Sequence, residues 1–76
     1  MKQLLEHLAK ALVDEPDQVD VKEIESDRLI ILELRVAEKD MGKVIGKQGR
    51  IAKAIRTVVN AAAASENKRV VVEIVE

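Results

Sequence analysis

The chain is 76 residues long, 47% hydrophobic and 36% charged, with a formal net charge of −1 and no Cys, Phe, Trp or Tyr. That leaves no room for a second domain, no disulfide or thiolate zinc site, and no membrane span, which needs roughly 18 consecutive apolar residues. The core must be aliphatic and is marginal at this size, so burying one more face against a partner chain would add stability.

Leu4, Leu5, Leu8 and Leu12 recur at spacings of three and four, which predicts an amphipathic helix over 2–13. Asp14-Glu15-Pro16-Asp17 ends it, because a proline disfavours helix at the residue before it. The N-terminus has an acid inside its apolar stretch and no small-residue cleavage site, so a signal peptide is not expected and the cytoplasm is the expected location. Val19, Val21 and Ile24 suggest a short strand with one irregularity, which a bulge would explain. After a turn at 25–27, residues 28–36 read as a strand. Its faces are Ile30, Leu32, Leu34 and Val36 toward the core, and Leu29, Ile31, Glu33 and Arg35 on the other side.

Residues 40–45 predict a short helix, with Asp40 or a neighbour at its start and Gly46 at its end. A longer helix follows from Gly49-Arg50 to about Ala64. At about 100° per residue, Ile51, Ile55, Val58, Val59 and Ala62 fall on one side, and Arg50, Lys53, Thr57 and Asn60 opposite. A turn over 65–68 leads to a last strand, 70–75, apolar on both faces. The order α-β-β-α-α-β predicts an α+β fold: a hairpin, then a helical crossover to a parallel third strand, giving a three-stranded mixed sheet with three helices on one face.

All three glycines, Gly42, Gly46 and Gly49, fall within eight positions, and the acid-free window 41–64 around them holds Lys43, Lys47, Arg50, Lys53 and Arg56. One-sign charge points to an anionic ligand, although a solvated basic helix face would give the same window. A phosphate-binding P-loop is excluded, because three residues rather than four separate Gly42 from Gly46 and Gln48 follows Lys47. A dinucleotide fingerprint fails on spacing too. What remains is Gly46-Lys47-Gln48-Gly49 between two helices, either a plain tight turn or a place where a phosphodiester backbone approaches free N–H groups at a helix start.

Val44-Ile45-Gly46-Lys47-Gln48-Gly49-Arg50-Ile51 is an apolar pair, then GxxG, then an apolar residue two positions on. This resembles the signature of KH domains, whose GxxG loop clamps about four nucleotides of single-stranded nucleic acid. The element order resembles the type II arrangement over the whole chain, and residues 44–59 look like the central segment of the KhpA family of small bacterial single-KH RNA-binding proteins. The resemblance implies that Gly46, Lys47, Gln48 and Gly49 hold the sugar–phosphate backbone of single-stranded RNA. It places Ile45 and Ile51 partly in the core and partly on the floor of a base groove, with Arg50 and Lys53 flanking the phosphate path; Lys43 is counted with them as an RNA-binding residue. It further implies an RNA chaperone or post-transcriptional regulator, pairing with itself or with KhpB, a larger KH-containing protein, and a link to cell-length and cell-wall regulation.

With no aromatic residue, bases would meet aliphatic side chains, which argues against a stacking platform of the RRM kind. No enzyme is expected: the single histidine, His7, lies off the leucine stripe and should be exposed. Asp14, Glu15, Asp17 and Asp20 could meet a hard cation but read more simply as a solvated loop, so no metal or cofactor is expected. Leu29, Ile31, Val71 and Val75 should share the open face of the sheet. Such a cluster leaves a second function class standing, a protein-assembly subunit whose GxxG is only a turn.

Overall fold

A computed structural model describes residues 1–75. Helix α1 is Lys2–Leu12, strands β1 and β2 are Asp20–Glu25 and Leu29–Arg35, helices α2 and α3 are Met41–Ile45 and Arg50–Ala63, and strand β3 is Arg69–Val75. The sheet order is β1-β2-β3, with β1 antiparallel and β3 parallel to the central β2. The fold is therefore the α+β mixed sheet expected from the pattern, with the helices on one face.

Strict alternation in β2 explains its central place. Ile30, Leu32 and Leu34 are buried, and so are Val70 and Val72 beside them on β3. From above, Leu5 and Ala9 of α1, Val44 of α2, and Ile55, Val59 and Ala63 of α3 close the core. Burying one such aliphatic side chain stabilises by about 1.5–3 kcal/mol.

Two local expectations are corrected. β1 carries no bulge: its pairing with β2 is continuous from Asp20↔Arg35 to Glu25↔Ile30. Val21 is buried while Ile24, three positions on, pairs with Ile31 on the opposite face, so the irregular spacing marks residues on two faces of a regular strand. In α3 the buried stripe is Ala52, Ile55, Val59 and Ala63, whereas Val58 is 45% exposed and Ala62 is exposed. Two alanines take core positions, and the small side chain lets a helix lie close to its neighbour. The larger Ile51 and Val58 turn instead toward a groove of about 290 Å³ between α1 and α3, lined also by Leu8, Leu12, Arg50, Ala54 and Ile55.

Candidate nucleic-acid interface

The two glycines of the loop differ in what they require. Gly46 has φ 77° and ψ 174°, a backbone region open essentially to glycine alone and distinct from the left-handed helical well that glycines at helix ends commonly take. A Cβ there would lie 2.5 Å from Ile51 Cγ1, so the bare Cα is where the loop packs on α3. Gly49, at φ 74° and ψ 14°, is left-handed, and a Cβ there would meet nothing within 4 Å. Packing thus explains Gly46, while Gly49 leaves an open backbone at the start of α3.

Between them the chain makes one tight turn. Gly46 N–H donates to Gly42 O (2.8 Å) and ends α2, Gly49 N–H donates to Gly46 O (3.1 Å), and Arg50 N–H donates to Lys47 O. Gln48 is pushed to φ 58°, an uncommon state for a residue with a side chain. The outcome is that Lys47 and Gln48 project into solvent at the tip. Among the described residues, the side chains of Lys47, Gln48, Arg50 and Lys53 have no hydrogen-bond or ion-pair partner, which leaves three cationic groups uncommitted along the loop and the first turn of α3. Ile45 is 37% exposed at the end of α2, and Ile51 is half-buried, bridging the Gly46 contact and the α1/α3 groove.

Lys43 stands apart from that set. Its Nζ lies 2.9 Å from Asp14 Oδ2 and 3.6 Å from Asp40 Oδ1. The hydrogen bond and charge of Asp14 outweigh its partial burial and raise the ammonium above its usual range. Asp40 has no accessible surface. It sits at the start of α2 as expected but does not cap that helix. Its carboxylate instead accepts from the backbone N–H groups of Asp14 (3.3 Å) and Glu15 (3.0 Å), in the loop after α1. Burial alone would push this carboxyl up; the two N–H donors and Lys43 overcome it and hold Asp40 below the usual range. Lys39 adds an ion pair to Glu15 at 2.9 Å. The acidic loop is thereby latched to the helix that delivers the GxxG turn. No local sequence signal marks this latch, because its acceptor and donors are 25 and 26 residues apart.

Arg56 is the other residue that sequence reasoning counts among the bases without giving it a role. Its Nε donates to Val72 O at 3.2 Å, so the guanidinium lies along the outer edge of β3. Among the described residues no group of three or more His, Asp or Glu side chains could hold a metal ion, and no helix is long and apolar enough to cross a membrane.

A short helix, a four-residue turn opened by two positive-φ glycines, and a longer helix, inserted between parallel strands of a three-stranded sheet, define a type II KH domain. A family model for the KH domain of KhpA/KhpB matches residues 2–74, and the chain belongs to that family. It is 72% identical over 75 residues to the RNA-binding protein KhpA of Clostridium acetobutylicum, covering 99% of this chain and 100% of that one. To the RNA-binding protein KhpA of Aquifex aeolicus it is 51% identical over 76 residues, covering 100% and 96%. Among solved structures, Aquifex aeolicus Era bound to GDP and aluminium fluoride superposes with a TM-score of 0.70 at 22% identity. That match covers 96% of this chain but 28% of Era, so it speaks to the fold alone.

Proposed function

We propose that the protein binds single-stranded RNA, its backbone clamped by Gly46, Lys47, Gln48 and Gly49, with Arg50 and Lys53 along the phosphate path. Ile45 and Ile51 offer the bases an aliphatic floor, and Lys43 stands behind the loop with its charge offset by Asp14. The observation that carries this reading is the open space at Gly49: its φ of 74° favours glycine, and with nothing within 4 Å of a Cβ there a phosphodiester could approach the bare backbone. The relatives named RNA-binding protein KhpA support RNA as the ligand. The protein acts as a binding module without catalysis, in the cytoplasm, as an RNA chaperone or post-transcriptional regulator. It pairs with a second copy or with the larger KhpB and serves cell-length and cell-wall regulation.

A second reading, an assembly subunit whose GxxG is only a turn, is favoured by one observation. The α1/α3 groove leaves Leu12 37% and Val58 45% exposed, an apolar surface that a partner would cover. The two readings are compatible where pairing uses the Leu12 and Val58 end of the groove and leaves Arg50 and Ile51, which also line it, to the RNA; we place pairing there rather than on the open sheet face. On that face Leu29, Ile31, Val71 and Val75 lie together as expected, but the row of Ile24, Ile31 and Val71, with Leu29 beside it, is separated from Val75 by the charged Lys22, Glu33 and Glu73.

The deciding experiment is fluorescence anisotropy of a labelled single-stranded RNA across a salt series. It compares the protein with the double variant Lys47→Asp, Gln48→Asp after circular dichroism confirms that both fold. Binding that weakens with salt and vanishes in the double variant supports the clamp. Equal binding by both would sink it and leave the assembly reading.

A further inference from the structure

We propose that the open face of the sheet docks an amphipathic helix of a partner protein. The helix seats its apolar stripe on Ile24, Leu29, Ile31 and Val71, and an arginine or lysine on Glu33 and Glu73. This surface lies across the sheet from the helices, and the proposal does not rest on the RNA reading.

The strand register sets up two adjoining rows. Ile24, Ile31 and Val71 are in register across the three strands, with Leu29 one step back along β2. Ile24 is 43% exposed and the other three are half-buried. The helices pack against the opposite face, so among the described residues no element covers this row. One step further along, Glu33 on β2 and Glu73 on β3 are direct partners across the parallel pair. Like charges so placed destabilise a sheet. Among the described residues neither carboxylate has a hydrogen-bond or ion-pair partner. Lys22 stands in register beside Glu33 without an ion pair, and Arg35, one row on, is already engaged. The fold thus keeps two uncompensated acids beside an apolar row, where neutral polar residues would cost it less.

Charge and spacing choose the occupant. RNA or an anionic lipid surface would set phosphates against the two carboxylates. A second copy, stacked on this face about a two-fold along the strands, would set Glu33 against its own counterpart. A guanidinium fits, because its planar fork donates to carboxylates in pairs, and an ammonium supplies the same charge as a point. A helix fits the spacing. Successive rows on one face of a strand are about 6.6 Å apart, two residues at about 3.3 Å each. Four residues of helix rise about 6 Å and return to the same face. An apolar anchor over Ile31 therefore brings the side chain four positions away over Glu33 and Glu73. The partner's signature is an apolar helix stripe with a cation four residues from its central anchor.

The test uses three labelled alanine-based peptides of about 15 residues, long enough to be helical in water. Each carries a leucine stripe, and the position four after the central leucine is arginine, alanine or glutamate. Affinity for the full chain, read by fluorescence anisotropy, should rank arginine above alanine above glutamate, with about threefold or more between the first two. The double variant Glu33→Gln, Glu73→Gln should erase the ranking and raise Tm by about 1–5 °C, because it removes a repulsion. Its affinity for single-stranded RNA should stay within about twofold of wild type, since the GxxG turn lies beyond the helix layer. Ile31→Asp should weaken all three peptides by about tenfold. Ile24→Asp, at the most exposed position of the row, gives the same reading if Ile31→Asp fails to fold. No binding of the arginine peptide at millimolar concentration would overturn the proposal. A ranking that survives in the double glutamine variant would overturn it too, as would a fall in that variant's Tm, which would make the acid pair structural. Binding lost in Val58→Asp but kept in Ile31→Asp and Ile24→Asp would move the peptide to the α1/α3 groove and likewise overturn it.

Discussion

Gly46 and Ile51 are locked together: a single Cβ on the glycine would come within 2.5 Å of the isoleucine Cγ1. Gly46→Ala should therefore combine backbone strain at φ 77° with overpacking and destabilise by about 2–5 kcal/mol, read as a fall in the urea midpoint with an unchanged m-value. Adding Ile51→Ala should recover part of the loss, because it removes the contacts to Cγ1 at 2.5 Å and Cδ1 at 2.9 Å, while the contact to Cβ at 2.8 Å and the backbone strain remain. Equal midpoints for the single and double variants would show that the clash carries no weight.

Gly49 should behave differently. Its left-handed φ costs a residue with a side chain about 1–2 kcal/mol, and there is open space around it. Gly49→Asn should fold with a smaller loss than Gly46→Ala, yet bind single-stranded RNA tenfold or more weakly, because the new side chain occupies the phosphate approach. Unchanged affinity in a folded Gly49→Asn would remove the central support for the clamp.

Salt dependence separates the lysines. Lys47, Arg50 and Lys53 are uncommitted, so the logarithm of the RNA association constant should fall with the logarithm of salt at a slope near −2, about 0.7 per phosphate neutralised on a single strand. Lys53→Ala should make that slope shallower by about 0.7. Lys43→Ala should leave the slope alone and lower the melting temperature by a few degrees, since its ammonium is already held by Asp14 and Asp40.

The buried carboxylate gives a pH signature. Asp40 is held below its ordinary value of 3.8, so its contribution is complete above about pH 4 and is lost as pH falls through the depressed value. Lys39 and Lys43 are raised above 10.5, so what they add is complete below that pH and fades above it. Thermal melts of wild type should drop steeply on acidification below pH 4, while Asp40→Asn, already destabilised at neutral pH, should converge toward wild type there. Parallel curves at all pH values would show that Asp40 is not the group responsible.

Sedimentation addresses pairing. Val58→Asp, at a largely exposed position of the α1/α3 groove, should abolish concentration-dependent self-association and leave RNA affinity per monomer unchanged. Ile31→Asp, on the open sheet face, should leave self-association intact. The opposite pattern would move the interface to the sheet.

Much of this molecule is legible in its sequence because β2 alternates without a fault and the GxxG sits between two short periodic runs. The failures have physical causes. In β1 only Val21 reaches the core, so six residues of an edge strand offer one apolar anchor and no pattern to phase. In α3 a ranking by hydrophobicity favours Ile51 and Val58, whereas the helix turns its alanines inward. The Asp40 latch depends on backbone donors distant in sequence, and the Arg56 contact depends on which strand edge the crossover leaves open; spacing along the chain encodes neither.

The latch also bears on how far the recognition loop can be moved between proteins. A segment spanning residues 41–64 would carry every glycine and five bases, and as a peptide it would look complete. It would leave behind Asp40 and the N–H groups of Asp14 and Glu15 that hold this carboxylate, and with them the connection that fixes α2. A graft that begins at Met41 should be floppy at its entry, whereas one that brings Asp40 together with the turn after α1 should retain its shape. The smallest transferable unit is thus discontinuous: a short piece from the first third of the chain and the helical crossover it supports.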